Sequence, residues 1–308
     1  VGWDNPELAA AVLSSVVRGI AQGSRQEESN AWRHPVDLVA ILEAAFPRIP
    51  AALAAGSERL GTWAQRSQLA WQLLEDDPAG NVEALLQALR DGATAAELAG
   101  TVSYAAALRV ARFHLSNEYT DWDTSLHTFT FAHAVHMGLR RVLADETTAP
   151  AASDLVRGVF DATMSLYLDR FLNIPAAPLP EVHPTGARRR PPSPQRFAVE
   201  LLALLDRQQQ VNETAELVAR YLVDGGEDQH LLATLGTALL REDRDFHTIQ
   251  MLEAARREYA LLHGTPEAAH VLIAATRYLA AHAPTARAQG QTYTIALRLR
   301  RGDRLFEG

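Results

Sequence analysis

Apolar residues recur at three- and four-residue intervals along almost the whole chain, which is the period of an amphipathic α-helix. The first run, "NPELAAAVLSSVVRGIAQG", places Asn5 at an N-cap position and Pro6 in the first turn. Stretches that alternate with the period of a strand are short and rare. The pattern therefore predicts an all-α protein, with further helices over 36–46, 58–75, 81–91, 94–116, 124–145, 152–172, 195–206, 212–224, 228–242, 244–264, 266–282 and 286–301.

One segment interrupts the helical pattern. Residues 173–195, "NIPAAPLPEVHPTGARRRPPSPQ", hold seven prolines, which remove backbone donors and fix φ. We expect no helix to cross this segment, which is either a linker or a lid loop. The predicted fold is a multi-helix bundle of two packed helical lobes, residues 1–172 and 196–308.

Composition narrows the classes of function. The net charge of −8 argues against nucleic acid as a partner. The absence of long apolar runs and of a secretory pattern in the opening residues argues for a cytoplasmic protein with no membrane contact. The chain has no cysteine, which excludes thiolate chemistry. All 29 basic residues are arginine, so lysine chemistry is excluded as well.

Histidines are the remaining candidates for chemistry. Three of them lie in the stretch "SLHTFTFAHAVHMGL", and they span ten residues. A metal site needs imidazole nitrogens that converge on one point. At 100° per residue, His127, His133 and His136 cannot all face one ion from a regular helix. We expect His127 and His133 to be the better ligand candidates and His136 to be exposed or to support a ligand.

Other helices contribute further candidates: His34 before an early helix, His114 near the end of another, His247 in a first turn and His282 after a last turn. Each has an ordinary structural alternative as a cap, a surface residue or a packed side chain. Asp123 either accepts a hydrogen bond from a ligand imidazole or caps the helix that follows it. Two residues of the same helix as His247, Gln250 and Glu253, are candidates to contact and orient its imidazole.

Three stretches in order resemble the questin oxidase-like family: residues 33–56, residues 125–139 and residues 241–256. The resemblance is spread over most of the chain and is sparse within it. It implies an all-helical oxygenase that acts on aromatic polyketides. It also implies a mononuclear non-haem Fe(II) held by histidines and a carboxylated lysine, with His34, His127 or His133, and His247 as ligands.

The chain departs from that pattern at one ligand. The lysine expected three residues after the late histidine is Gln250, and the chain contains no lysine at all. Either histidines hold the metal with water, or His114 or His282 substitutes, or no metal binds. The C-terminal stretch also resembles helical regions of Rieske-associated bacterial proteins. Because the chain has no cysteine, an electron donor of the Rieske or ferredoxin type would be a separate chain or a truncated domain.

Three functions stay open at this point. The first is an iron oxygenase that uses O2 and a small aromatic substrate, with His127 and His247 as catalytic residues and His34, His114, His127, His133, His247 and His282 as candidate ligands. The second is a metal-free oxygenase or cyclase with a histidine as general base, which needs no cofactor. The third is a non-enzymatic helical scaffold that binds a protein partner.

Overall fold

The predicted all-α class is confirmed in the computed structural model of the protein. The structure describes residues 5–22, 36–182 and 190–302, and these residues contain helices, turns and loops without a β-strand. They belong to two compact units, residues 1–38 and residues 39–308. The first unit contains a short turn at Pro6–Leu8 and helix α1 (Ala9–Gln22), none of whose side chains is buried.

The remaining helices follow one another with short connections, except for the long segment between Leu168 and Pro194. They are α2 (Leu38–Ala45), α3 (Ile49–Gly56), α4 (Arg66–Gln72), α5 (Pro78–Arg90), α6 (Ala95–Ala111), α7 (Tyr119–Leu143), α8 (Ala152–Leu168), α9 (Pro194–Leu205), α10 (Val211–Val223), α11 (Asp228–Arg241), α12 (Phe246–Leu262), α13 (Pro266–Ala281) and α14 (Ala288–Arg300). Several of the predicted runs end earlier or begin later than the apolar pattern indicated. Helix α6, for example, ends at Ala111 instead of extending to residue 116.

Two helices form the centre of the second unit. Of the 17 residues of α6, 15 are buried, and 11 of the 16 residues of α13 are buried. A helix that is apolar on all sides is stable in water only when neighbours cover every face. Helices α4, α7, α8 and α13 pack around α6, while α10 and α12 pack against α13. At the start of α6, a capping box between Thr94 and Glu97 satisfies backbone donors that helical bonds leave unpaired.

The first residues of the proline-rich segment are hydrogen-bonded to the helices that they cross. The backbone N–H of Ala177 donates to the carbonyl of Arg112 over 2.8 Å. The guanidinium of Arg277 donates both to the carbonyl of Ala111 over 3.0 Å and to that of Pro178 over 3.2 Å. Helices that precede and follow the segment therefore pack together within residues 39–308. The division into lobes at 173–195 stays a prediction.

One described stretch is long and apolar enough to cross a membrane. It is Leu38–Arg59, of 22 residues, and 17% of its most apolar window is buried. Length and composition are weak evidence, since a core helix of a soluble protein meets the same two criteria. Within this stretch, Arg48 forms an ion pair with Glu83 of α5.

A buried carboxyl lies where α8 ends. Asp169 is 7% exposed, and one of its oxygens has no hydrogen-bond partner among the described residues. Burial raises its pKa to about 6, although a hydrogen bond with Thr128 and the charge of Arg109 act in the opposite direction. The fold therefore favours the protonated acid, and the stability associated with Asp169 is lost as the pH rises through about 6.

We predict that Asp169→Asn stabilises the protein at about pH 8 and has little effect at about pH 4. An amide has the shape of the protonated acid and does not ionise. The gain in the free energy of unfolding should be on the order of 1–3 kcal/mol at the higher pH, from the size of the pKa shift. Urea denaturation at both pH values measures it. Asp154→Asn, at an exposed position of the same helix, is the control. An equal effect at both pH values would contradict the prediction.

Candidate functional site

Asp123 points into the protein from the first turns of α7. The helix begins at Tyr119, and a capping box between Glu118 and Asp121 closes its N-terminus. The alternative in which Asp123 caps the helix was therefore wrong, because the helix starts before it. Oδ1 of Asp123 instead accepts a hydrogen bond of 2.5 Å from the hydroxyl of Tyr278, which lies on α13.

His282 follows the last turn of α13, and its side chain is 4% exposed. Its Nδ1 lies 2.7 Å from the carbonyl oxygen of Tyr278. A carbonyl can only accept, so the ring proton must be on Nδ1 and the lone pair on Nε2. That Nε2 is buried and has no hydrogen-bond partner among the described residues. It faces Oδ1 of Asp123 at 3.7 Å.

The surroundings of His282 keep it neutral. Burial lowers its pKa, and the charge of His247 acts in the same direction. The carbonyl of Tyr278 and the carboxylates of Asp123 and Asp245 oppose this, but burial is the largest cause. A neutral imidazole with a buried lone pair is the form in which histidine binds a metal or accepts a proton.

Aromatic rings fix the plane of the imidazole. Tyr278 stacks on His282 with ring centroids 4.1 Å apart, and Tyr119 meets the same ring edge-on at 4.3 Å. The ring of Trp122 lies edge-on to that of Tyr278, with centroids 6.4 Å apart. Burial raises the pKa of Tyr278, and the nearby Asp123 raises it further, so the phenol stays a donor.

His247 enters from the first turn of α12. Asp245 caps this helix by accepting a hydrogen bond of 3.0 Å from the backbone of Thr248, as expected for an aspartate at that position. Its other oxygen lies 3.1 Å from Nδ1 of His247. The imidazole of His127, one turn after Asp123 on α7, lies edge-on to that of His247, with centroids 5.1 Å apart.

The structure therefore brings four of the sequence-derived candidates into one neighbourhood, which we call the His–Asp cluster: Asp123, His127, His247 and His282. Sequence reasoning missed three residues that shape it, Tyr119, Tyr278 and Asp245. A signal existed for Tyr278, which lies four residues before His282 and hence on the same face of α13.

Other candidates lie elsewhere. His114 occupies the loop after α6, where its Nδ1 bonds with the hydroxyl of Ser116 over 2.9 Å. Gln250 is exposed. The carboxylate of Glu253 accepts hydrogen bonds from Arg256 and Arg257 on its own helix. His34 lies outside the described residues.

A second cluster contains the two other histidines of α7. Nδ1 of His133 and Nδ1 of His136 lie 2.7 Å and 2.9 Å from the same oxygen of Glu258. The expectation that His136 is exposed was wrong, since it is 6% exposed. Helix α12 covers that face of α7, which the helical projection of one sequence could not show. His133 is likewise held by Glu258, apart from the His–Asp cluster.

A pocket opens beside the His–Asp cluster. His282 belongs to both, and Tyr119 and Asp245, which contact the cluster, also line the pocket. The rest of the wall combines apolar side chains with polar groups of the 242–248 loop and of the connection to α14: Leu205, Ala238, Leu239, Glu242, Asp243, Arg244, Thr248, Leu279, Ala283 and Thr285. The loop and the connection are tied together, since the backbone and hydroxyl of Thr285 both donate to Glu242.

Within the described parts of the chain, no set of three or more histidine, aspartate or glutamate side chains is arranged so as to hold a metal ion. No protein-family model, no curated protein and no solved structure matches the chain. The chemistry of the site therefore rests on its own geometry.

We predict that His282 is neutral at about pH 7, with its proton on Nδ1. The carbonyl of Tyr278 accepts from that nitrogen, and burial disfavours the imidazolium. The ¹⁵N chemical shifts of the ring, assigned by comparison with His282→Gln, distinguish the tautomers. His230, which is exposed on α11, is the internal reference. A proton on Nε2, or a charged ring at that pH, would contradict the prediction.

Proposed function

We propose that the His–Asp cluster binds a divalent transition metal and that the protein is a mononuclear non-haem iron oxygenase. The observation that carries the proposal is the buried lone pair of His282 Nε2, which faces Asp123 at 3.7 Å without a hydrogen bond. Two donors that each lie about 2.1 Å from a tetrahedral ion are roughly 3.4 Å apart. The observed separation is therefore close to that of two ligands of one ion.

His127 and His247 complete the proposed ligand set by rotating about their side-chain bonds. Their rings are adjacent, at 5.1 Å, and His247 lies close enough to His282 for its charge to lower the pKa of that ring. His127 is exposed and His247 is half-buried, which leaves room for such a rotation. Three imidazoles and one carboxylate suit Fe(II), which the resemblance of the sequence implies.

The substrate of the proposed enzyme occupies the pocket. The apolar side chains of its wall, with the polar groups beside them, suit an aromatic molecule that carries oxygen substituents. Tyr119 is 57% exposed, lines the pocket and contacts the ring of His282, so its own ring can stack on such a ligand. A bound Fe(II) would supply the one-electron chemistry that the use of O2 requires. A separate ferredoxin or Rieske protein as electron donor stays a prediction.

A metal-free reaction is the second candidate, and the Asp245–His247 pair favours it. The carboxylate lies 3.1 Å from Nδ1, which leaves Nε2 of His247 available as a base. A carboxylate that orients the imidazole from behind is the arrangement found in many general bases. The hydrogen bonds from Thr248 and His247 hold the pKa of Asp245 below its ordinary value despite burial, so the orienting group stays ionised.

Metal titration of untagged, chelator-treated protein tests the proposed function. We expect near-stoichiometric binding of Co2+ with d–d absorption bands typical of nitrogen and oxygen ligands, and loss of at least tenfold in affinity in His282→Ala and in Asp123→Asn. His114→Ala, in a histidine outside the cluster, is the matched control and should bind as the wild type does. Iron analysis of the protein as purified gives the native metal.

Three results would be decisive against the metal. They are the absence of Co2+ binding, binding that the cluster variants leave unchanged, and turnover of an aromatic quinone by metal-free protein. The last would favour His247 as a general base, in which case His247→Ala abolishes turnover. If the protein neither binds metal nor turns over such a substrate, the remaining function is that of a scaffold for a protein partner.

A further inference from the structure

The second cluster buries an ionised carboxylate between two helices. Glu258 of α12 is completely buried, and its oxygens lie 2.7 Å from Nδ1 of His133 and 2.9 Å and 3.1 Å from Nδ1 of His136. Burial by itself raises the pKa of Glu258, but the hydrogen bonds and the charges of the two imidazoles outweigh it and lower the pKa to about 2. An ionised carboxylate can only accept, so both rings donate from Nδ1.

Such a contact is directional as well as strong. A buried carboxylate that loses its donors is left unpaired at high cost, so few arrangements of the two helices are compatible with it. Three side chains meet at one point from two helices, and each imidazole is held by a hydrogen bond of fixed direction. The cluster therefore restricts the rotation of α7 and of α12 about their axes.

The same two helices carry the adjacent imidazoles of the His–Asp cluster. His133 follows His127 by six residues, or about 9 Å along α7, and Glu258 follows His247 by eleven residues, or about 16 Å along α12. The two contacts occur in the same order on both helices, so these helices run in the same direction. Two separated contacts fix both the sliding and the rotation of one helix against the other, which a single contact cannot do.

A third helix holds the imidazole of His136 in place. A Cβ added at Gly100, on α6, would lie 3.0 Å from Cε1 and 3.1 Å from Nε2 of His136. The ring therefore packs directly against the backbone of the central helix. A methyl group at this position would have to displace the imidazole by a few tenths of an ångström.

We propose that Glu258 is a positioning residue: by holding His133 and His136 it fixes α7 against α12 and thereby sets the separation of His127 and His247. Its consequence for metal affinity rests on the proposed function. Its consequence for the geometry of the two imidazoles does not, because the ring contact of 5.1 Å is made by the two side chains themselves.

Two variants test the proposal from opposite sides. Glu258→Gln removes the ionised acceptor, and Gly100→Ala displaces the ring of His136 while leaving all hydrogen-bonding groups in place. Gly138→Ala is the matched control, since it makes the same exchange on α7 at a position where an added Cβ meets no atom within 4 Å. Circular dichroism and thermal melting establish that each variant is folded.

The first readout is the ring ¹H–¹³C NMR signals of His127 and His247 in metal-free protein. We expect both signals to shift in Glu258→Gln and in Gly100→Ala and to stay unchanged in Gly138→Ala. The signal of His230, on α11, should stay unchanged in all three, since a general loosening of the fold would move it as well. If His127 and His247 keep their signals in either folded variant, the proposal is overturned.

The second readout is Co2+ affinity, which should fall about tenfold in both variants, as expected when groups that orient ligands are removed. Should the wild type bind no Co2+, the proposed function fails while the NMR signals still decide the positioning role. Should Glu258→Gln not fold, Gly100→Ala decides it, because that variant adds a single methyl group. Shifted NMR signals together with wild-type Co2+ affinity would overturn the consequence of the positioning for metal affinity.

Discussion

Burial of the α6–α13 pair on all sides is the constraint on which the arrangement of residues 39–308 depends. A helix with 15 of 17 residues buried has no face to offer to water, so its neighbours must cover it completely. Helix α7 packs along α6, and α13 packs along it from another side. This brings the start of α7 beside the end of α13, and Asp123 thereby meets Tyr278 and His282. The site lies at the edge of the core because the core fixes these two helix ends.

Buried polar groups of two kinds are built on that frame. Glu258 has its charge satisfied, since the carboxylate accepts from two imidazoles. His282 differs, since one nitrogen is satisfied by its own helix and the other is not. An unsatisfied buried lone pair costs free energy. A site that binds a cation or a proton at that nitrogen recovers this cost, whereas a purely structural histidine does not.

Helical periodicity was sufficient to predict the fold class, because every buried face repeats with the period of a helix. For the helix of His247 it left the N-cap open between Asp243 and Asp245, and the structure has Asp245 there. Helical periodicity failed where a side chain bonds to a residue of another helix. Asp123 has the sequence pattern of a cap yet bonds to Tyr278, 155 residues away. His136 was expected to be exposed or to support a ligand. It is buried, because Glu258, 122 residues later in the chain, packs against it. "EAARREYALL" gives no sign that this glutamate is buried.

The convergence of His127, His247 and His282 could be proposed from the sequence only as three separate candidates, since their contacts join three helices. The same contacts bear on the missing lysine. In the resembled family, a carboxylated lysine supplies an anionic oxygen ligand, and a dication held by neutral imidazoles alone would lack that compensating charge. Gln250, at the lysine position, is exposed and neutral and supplies none. In the proposed site Asp123 of α7 supplies the charge, at 3.7 Å from His282 Nε2. Asp245, the cap of α12, adds a second carboxylate 3.1 Å from Nδ1 of His247. A bound dication would then still have a compensating negative charge beside it, supplied by a residue of a different helix.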